Sequence, residues 1–345
     1  MPAYNVEAYV RRAVESLQKQ SYRNFELLVV DDGSCDRTAS ILDSIAERDI
    51  RINVFHTQNA GAPAARNFAL DRARGKWLMF MDADDWVEPR MLEQMLEFAE
   101  KHQLEMVVAP FYIDTYYGDE GQYTTELKTV PAKVYPDQES FRKDAFKLFD
   151  QNLFYPPWNK LFLRQRVEDL HIRFKATFWD DFPFVLDNIR DIERVGVCEK
   201  PYYHFIRQRA ESETARFRPE MYDKREEEHG WMLDLYQHWG LESDEDSQEM
   251  IQRRYIERLV GCVENLCNPA SGLKRAEKIR RIKQIISTNN AREAVRYAKP
   301  KSKMMAFMLA PIAAQNAWLT YQEGSFISFV KRHNTKLFAT LKAKR

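Results

Sequence analysis

Phe80-Met81-Asp82-Ala83-Asp84-Asp85-Trp86 sets three carboxylates directly behind an apolar run. In open α/β sheets, ligands bind in the crevice beyond the carboxyl ends of the strands. Hard divalent cations that bridge phosphate oxygens take one or two carboxylates and keep other positions open, and Asp82 and Asp84 can supply those oxygens. The apolar run predicts a strand over 76–81, and Pro89 predicts the first turn of the next helix, so the acids belong to a strand-to-helix connection. An acidic turn followed by a helix N-cap would look the same in isolation.

The acids are not isolated. Residues 25–30 read as a buried strand ending in Asp31-Asp32-Gly33-Ser34, with a helix opening near 36–38. Between the two acidic loops lie a short strand, 52–56, and then Asn59-Ala60-Gly61-Ala62-Pro63-Ala64-Ala65-Arg66-Asn67, a small-residue loop entering a helix. Small residues let a backbone approach a ligand closely, and Arg66 at a helix N-terminus suits a phosphate or a base carbonyl.

Pro2-Ala3-Tyr4-Asn5, Asp31-Asp32-Gly33-Ser34, the 61–67 segment and Asp82-Ala83-Asp84-Asp85-Trp86 resemble, in order and spacing, the nucleotide-sugar-binding domain of family 2 glycosyltransferases. The resemblance covers roughly residues 1–215. It implies a GT-A fold, which is α/β and Rossmann-like, and an inverting transfer from a nucleotide-diphosphate sugar, usually UDP-linked. It further implies that the D-x-D carboxylates hold Mn²⁺ or Mg²⁺, with Asp82 and Asp84 meeting the ribose and the metal. Pro2, Tyr4 and Asp31 or Asp32 then surround the nucleoside, and Arg66 faces the nucleotide. In the family, the first motif follows an apolar strand of about five residues, an ordinary strand length. Only Met1 precedes it here, so the expectation is a start site placed too late, with a compensated truncation as the alternative.

Thr177-Phe178-Trp179-Asp180-Asp181-Phe182-Pro183-Phe184 wedges two acids among aromatics. A carboxylate in such surroundings has a raised pKa, which suits the general base that deprotonates an acceptor hydroxyl opposite a leaving diphosphate. The pair would serve equally as a helix N-cap before Phe184-Val185-Leu186. The family has Glu-Asp here with the second acid as base, so the resemblance assigns the base to Asp181. Asp180, shorter than the family's Glu, is the second catalytic candidate, and Trp179 falls on the acceptor side.

Pro157-Trp158-Asn159-Lys160-Leu161-Phe162 resembles the family's W-N-K-L stretch, which places Trp158, Asn159 and Lys160 near the acceptor. Read without the family, it is an aromatic core strand with one snorkelling Lys. After a strand at 194–198, Tyr202-Tyr203-His204-Phe205-Ile206-Arg207-Gln208-Arg209, with Ser212 and Thr214 beyond, looks like the family's mobile loop over the donor diphosphate. Arg207 and Arg209 would there neutralise the leaving group; the alternative is ordinary surface charge.

The elements that must position these groups form two regions. A catalytic domain is expected over 1–215, with 1–110 as its nucleotide-binding half and 111–215 as its acceptor-side half, the latter opening on a hairpin insertion near 111–135. A helical C-terminal region follows at 216–345, basic from 271. Helical apolar spacing runs over 221–239 and 248–267, and Asn268-Pro269-Ala270-Ser271-Gly272 breaks it. A chain of 345 residues that is 44% hydrophobic builds a sizeable core.

A formal net charge of zero conceals an asymmetry: from Ser271 onward, 17 Lys and Arg face only Glu277, Glu293 and Glu323, giving +14 against −14 for the rest. Within that basic part, Met304, Met305, Phe307, Met308, Trp318, Tyr321, Phe326 and Phe329 make an apolar and aromatic complement. Such a segment predicts an interfacial helix on anionic lipid, hence a cytoplasmic protein peripheral on the inner face of the membrane. The alternative is that these helices pack on the catalytic domain or form a homo-oligomer. No nucleic-acid motif accompanies them, so nucleic acid is not expected as a partner. The four cysteines, Cys35, Cys198, Cys262 and Cys267, lack metal spacing and are expected as reduced thiols. No leader is recognised, and no run of 18 apolar residues occurs, so no membrane span is expected.

Three function classes follow. The favoured one is a metal-dependent hexosyl- or N-acetylhexosaminyltransferase acting on a growing bacterial surface glycan or a lipid-linked acceptor. A sugar-phosphate nucleotidyltransferase would carry a glycine-rich phosphate loop with Lys and Arg near the N-terminus, which is absent. A non-catalytic nucleotide-sugar-binding protein would have no use for an intact Asp82, Asp84 and Asp181.

Overall fold

Apolar residues at 10, 13, 14 and 17 fall on one face of a helix, and the runs at 27–31 and 52–56 are short and β-branched, so the N-terminal third alternates strand and helix. The computed structural model describes residues 1–117, 121–177, 179–207 and 217–333. It contains two compact units, one of residues 1–114 and 124–207, the other comprising, among the described residues, 115–117, 121–123 and 217–333.

The first unit runs β1 (Pro2–Ala3), α1 (Val10–Gln18), β2 (Leu27–Asp31), α2 (Thr38–Ala46), β3 (Ile52–His56), α3 (Ala62–Leu70), β4 (Trp77–Leu78), β5 (Trp86–Val87), α4 (Met91–Lys101) and β6 (Met106–Val108). It continues with β7 (Phe111–Tyr117) and β8 (Gln122–Lys128), whose facing ends cluster with the second unit, then β9 (Lys133–Tyr135), α5 (Gln138–Asp150), β10 (Lys160–Leu163), α6 (Arg164–Asp169), α7 (Asp181–Ile189), β11 (Val195–Val197) and β12 (Tyr203–Arg207).

Strands β1, β2 and β3 form a parallel sheet in which Ala3 lies opposite Asp31 and Asp31 opposite His56. Pro2 lies opposite Val30 in this sheet, and the Met1 ammonium donates to Leu28 O at 2.8 Å. Gly61, at φ 88°, opens α3 in a backbone region that L side chains rarely enter, and Pro63 occupies its first turn. A mixed sheet in the order β4-β10-β6-β11-β9 carries much of the core, with Val107, Val108, Val195 and Val197 fully buried. A third sheet has the order β5-β12-β7-β8.

Three expectations change here. The strand before the acidic cluster is only Trp77–Leu78, and Trp86–Val87 is itself a strand paired antiparallel with Tyr203 and His204. The acids therefore sit between two strands, and Pro89 precedes the N-cap Arg90 instead of entering the helix. Tyr203–Arg207, expected within a closing loop, is mostly a buried strand. The hairpin of β7 and β8 forms, but β9 leaves it to pair with β11. All three depend on partners far along the chain, which local patterns do not display.

The second unit is helical: α8 (Met221–His238), α9 (Glu245–Cys267), α10 (Arg275–Ile286), α11 (Asn289–Tyr297), α12 (Lys303–Ala313) and α13 (Ala317–His333). Asp244 caps α9 through Ser247 N, and Gly272 at φ 65° closes the predicted break. Ile256, Leu259 and Val263 of α9 meet Ile282, Ile286, Ala291, Ala294, Met305, Met308 and Ile312 in one core. All four cysteines are free, and Cys262 and Cys267 are buried along α9. No helix among the described residues is long and apolar enough to cross a membrane.

Candidate functional site

The acidic loop is held from behind by its third carboxylate. Asp85 is fully buried and accepts from Tyr203 Oη at 2.6 Å and from Ile206 N at 2.7 Å. The same Tyr203 oxygen accepts from Asp82 N at 3.1 Å, so β12 fixes the loop on which Asp82 and Asp84 stand. Burial, then the charges of Asp84 and Asp82, push the Asp85 carboxyl well above the usual carboxylate range. Asp84 is pushed up to about 6 by burial and the Asp82 charge. Asp85 and Tyr203 thus have positioning roles that the D-A-D-D spacing does not announce.

Arg66 joins the two halves of the candidate site. Its guanidinium is buried and donates from Nη2 to Asp82 Oδ1 at 2.9 Å and from Nη1 to Asp180 Oδ2 at 2.8 Å, and it lies 3.0 Å from Asp181 Oδ1. It also lies over the Phe174 ring at 5.2 Å. Phe174 is pinned by Asn67, which donates to Phe174 O at 2.8 Å and accepts from Phe174 N at 2.9 Å. Burial alone would lower the Arg66 pKa, but Asp181, Asp82 and Asp180 together raise it.

Asp180 stands at the N-cap position of α7 yet makes no side-chain cap bond; its carboxylate turns to Arg66. The N-cap alternative is therefore not how its side chain is used. Asp181, the first residue of α7, has Oδ1 buried without a hydrogen-bond partner while its side chain stays 30% exposed. Burial first, against the Arg66 charge and with Asp82 and Asp180 adding to it, pushes its carboxyl up to about 7. Trp179, just before the pair, adopts φ 63°, a strained region for a bulky residue and one found disproportionately at functional sites.

On the nucleotide side, Pro2 lies in β1 and Tyr4 is half-exposed. Asp31 and Asp32 are buried. Asp31 accepts from Ser34 N and pairs with His56 Nδ1 at 2.8 Å, while Asp32 accepts from the amides of Ala60 and Gly61 at 2.9 and 2.8 Å. The hydrogen bonds of Asp32 tie the β2 loop to the glycine-containing entry of α3. On the other side, Trp158 is buried and stacks on Tyr203 with 4.2 Å between ring centroids. Asn159 donates to Ala109 O, and Lys160 donates to Leu153 O, Pro156 O and Asn159 Oδ1. Lys160 is completely buried, so the snorkelling alternative fails: backbone carbonyls satisfy the ammonium inside. Burial drives its pKa well down, opposed by the Asp181 charge. Arg207 ends β12 with its guanidinium 5.9 Å from the Phe205 ring. Arg209, Ser212, Thr214 and Phe178 lie outside the described residues.

The structure thus brings Arg66, Asp82, Asp180 and Asp181 into one cluster, with Asp84 beside Asp82. The family model described as Glycosyl transferase family 2 matches residues 1–170. A glycosyltransferase of Haemophilus influenzae is 30% identical over 208 residues, covering 60% of this chain and 77% of that one. The chain belongs to glycosyl transferase family 2. This family 2 glycosyltransferase is also similar to the glycosyltransferase EpsJ of Bacillus subtilis, at 29% identity over 302 residues, 86% of this chain and 85% of that one. Among solved structures it is similar to S. aureus TarS 1–349, with a TM-score of 0.62 and 18% identity over 96% of this chain and 91% of that one. That likeness, with the mixed sheets and the helices that follow, identifies a GT-A fold with a helical C-terminal region.

Proposed function

We propose that this family 2 glycosyltransferase moves a hexosyl or N-acetylhexosaminyl unit, with inversion, from a UDP-sugar to a hydroxyl of a surface glycan or lipid-linked acceptor at the inner face of the membrane. The observation that carries the reading is Asp181. It is a largely buried carboxylate, 30% exposed, with a pKa near neutrality, held at the start of a helix and joined through Arg66 to the D-x-D loop. A UDP-GlcNAc complex of the fold relative TarS supports the donor class.

In the proposed reaction, the acceptor hydroxyl approaches the anomeric carbon on the side away from the diphosphate, and Asp181 takes its proton as the new C–O bond forms and the bond to the diphosphate breaks. Arg66 holds Asp82 in place and balances the charge of three carboxylates that would otherwise repel one another. Asp31 and Asp32 shape the nucleoside pocket through the loops they tie, with Pro2 and Tyr4 along its wall. Trp158, Asn159 and Lys160 act from behind, supporting the acceptor side of α7, while Trp179 and Asp180 set the approach to the base. Arg207, at the end of β12, would meet the diphosphate and neutralise the leaving group.

Asp82 and Asp84 fit a divalent cation. Both carboxylates sit on one loop, and burial together with the Asp82 charge raises the pKa of Asp84, an electrostatic strain that a cation completed by water and substrate phosphate would relieve. When bound there, Mn²⁺ or Mg²⁺ would neutralise the leaving diphosphate.

The test is slow donor hydrolysis across a panel of nucleotide sugars, which needs no acceptor. Hydrolysis confined to UDP-sugars, lost with EDTA and restored by Mn²⁺ or Mg²⁺, is the expected result. Activity that survives exhaustive chelation removes the metal from the reaction, and preference for another nucleotide removes UDP.

A further inference from the structure

Helix α13 leaves four of its large apolar side chains on its outer side. The side turned into the helical core carries the small residues Ala317, Thr320, Gly324 and Ser328 with Val330, all buried, and Tyr321 and Ile327 pack partly buried beside them. A Cβ on Gly324 would come within 2.5 Å of Val263 Cγ1 and 3.1 Å of Cys267 Sγ, so the backbone of α13 lies directly against α9. The hydroxyl of Thr320 is satisfied within the helix, donating to Asn316 O at 3.0 Å. Four large apolar residues point the other way: Trp318 is 50% exposed, Phe326 61% and Phe329 54%, with Leu319 exposed beside them. At 100° per residue these four, with Gln322, Arg332 and His333, fall on one face. Phe307, 63% exposed on α12, adds a fifth large apolar side chain on the neighbouring helix. A water-facing helix is expected to show the opposite arrangement, and an aromatic face of this extent marks an interaction surface.

Charge selects the partner. From 294 to 333 the chain carries Arg296, Lys299, Lys301, Lys303, Lys331 and Arg332 against a single acid, Glu323. Lys331 is used internally, 2.9 Å from Glu264 of α9, but Lys303 and Arg332 are exposed. Glu323 is half-buried at the edge of the aromatic face, and burial pushes its carboxyl up to about 7, so its negative charge there is weakened. A twofold contact between copies would set this basic flank against itself. An anionic lipid surface matches both features, since aromatic side chains settle at the headgroup boundary while Lys and Arg meet the phosphates.

We propose that the outer face of α12 and α13, with Phe307, Trp318, Leu319, Phe326 and Phe329 as its apolar contacts and Lys303 and Arg332 on its flank, docks this enzyme on anionic membrane. The inference concerns attachment and is independent of the catalytic assignment, which donor hydrolysis in solution tests separately.

The experiment is flotation of the full chain with vesicles of phosphatidylcholine alone or with about one-third phosphatidylglycerol. Binding to the anionic vesicles at low salt, weakened as salt shortens the range of the charges, is the expected result. The double variant Phe326→Ser/Phe329→Ser should bind the same vesicles at least roughly tenfold more weakly, with an unchanged thermal melt and unchanged donor hydrolysis. In the unsubstituted protein, brominated acyl chains should quench the emission component that Trp318→Phe removes. Failure of the full chain to float with anionic vesicles overturns the proposal, as does a double variant that floats as well as the parent. A dimer in solution that the double variant splits, without vesicle binding by the parent, assigns the face to self-association instead.

Discussion

Asp181 and its neighbours carry charges whose consequences can be worked out one at a time. Its folded pKa, about 7, lies above the ordinary carboxylate value, and the proposed base would act only as the carboxylate. Transfer measured as kcat/KM should therefore fall about tenfold per pH unit below 7 and level off above it. The stability sign is opposite. A raised carboxyl pKa means that the folded state binds the proton more tightly, so the group's contribution is most favourable below the unfolded pKa near 4 and is lost as pH rises through about 7. Asp181→Asn should accordingly cut transfer by roughly 10² to 10⁴ and leave donor affinity nearly unchanged, while melting at pH 8 no earlier than the parent. A variant that turns over normally would move the base to Asp180. Arg66→Met tests the hub: with three carboxylates left facing one another, urea unfolding should show a loss of about 3–5 kcal/mol, as for breaking other buried ion pairs. Asp84→Asn should abolish metal-dependent donor hydrolysis without lowering the melting temperature, because the substitution relieves like-charge repulsion.

At the scale of elements, the decisive contact is between β5 and β12. Trp86 stacks on His204 with centroids 3.6 Å apart, His204 Nδ1 pairs with Asp114 at 2.8 Å, and Tyr203 joins Asp85 to the amide of Asp82. This arrangement turns a pair of two- and five-residue strands into a fixed support for the acidic loop. Tyr203→Phe removes one hydroxyl that serves two partners and should lower stability by about 1–3 kcal/mol, read by urea denaturation, with a larger fractional loss in transfer than in donor affinity. An unchanged midpoint and unchanged transfer would show that the hydroxyl positions nothing. In the helical unit, Gly324→Val meets Val263 and Cys267 across the α9–α13 contact, and overpacking of this kind should cost about 1–3 kcal/mol in the same measurement.

For the whole molecule, the governing quantity is the distribution of charge. A sequence pI near 7.1 predicts weak retention on any ion exchanger at neutral pH, but a chain carrying +14 from residue 271 onward should be held by a cation exchanger at low salt and pH 7.5. Elution should come at moderate salt, as screening removes the interaction. Passage through the column unretained would mean that the acids of the rest of the chain neutralise the segment locally.

Much of the candidate site could be read from residue order alone. The loops 31–34, 61–67 and 82–86 were recognisable because strand ends, small residues and acids are local patterns, and strand β3 and helices α8 and α9 followed from periodicity over consecutive residues. The assignment of chemistry to Asp181 came from its aromatic neighbours in the chain and from family order. Tertiary structure decided the rest: that Asp85 anchors the loop, that Arg66 spans from Asp82 to Asp180 across 98 positions of sequence, that Lys160 is buried on carbonyls, and that the aromatic side of α13 faces outward. These facts are pairings between distant segments. A side chain's nearest charges, its burial and hence its pKa are set by which strands and helices meet, and that meeting is decided by the whole chain's packing rather than by any local run of residues.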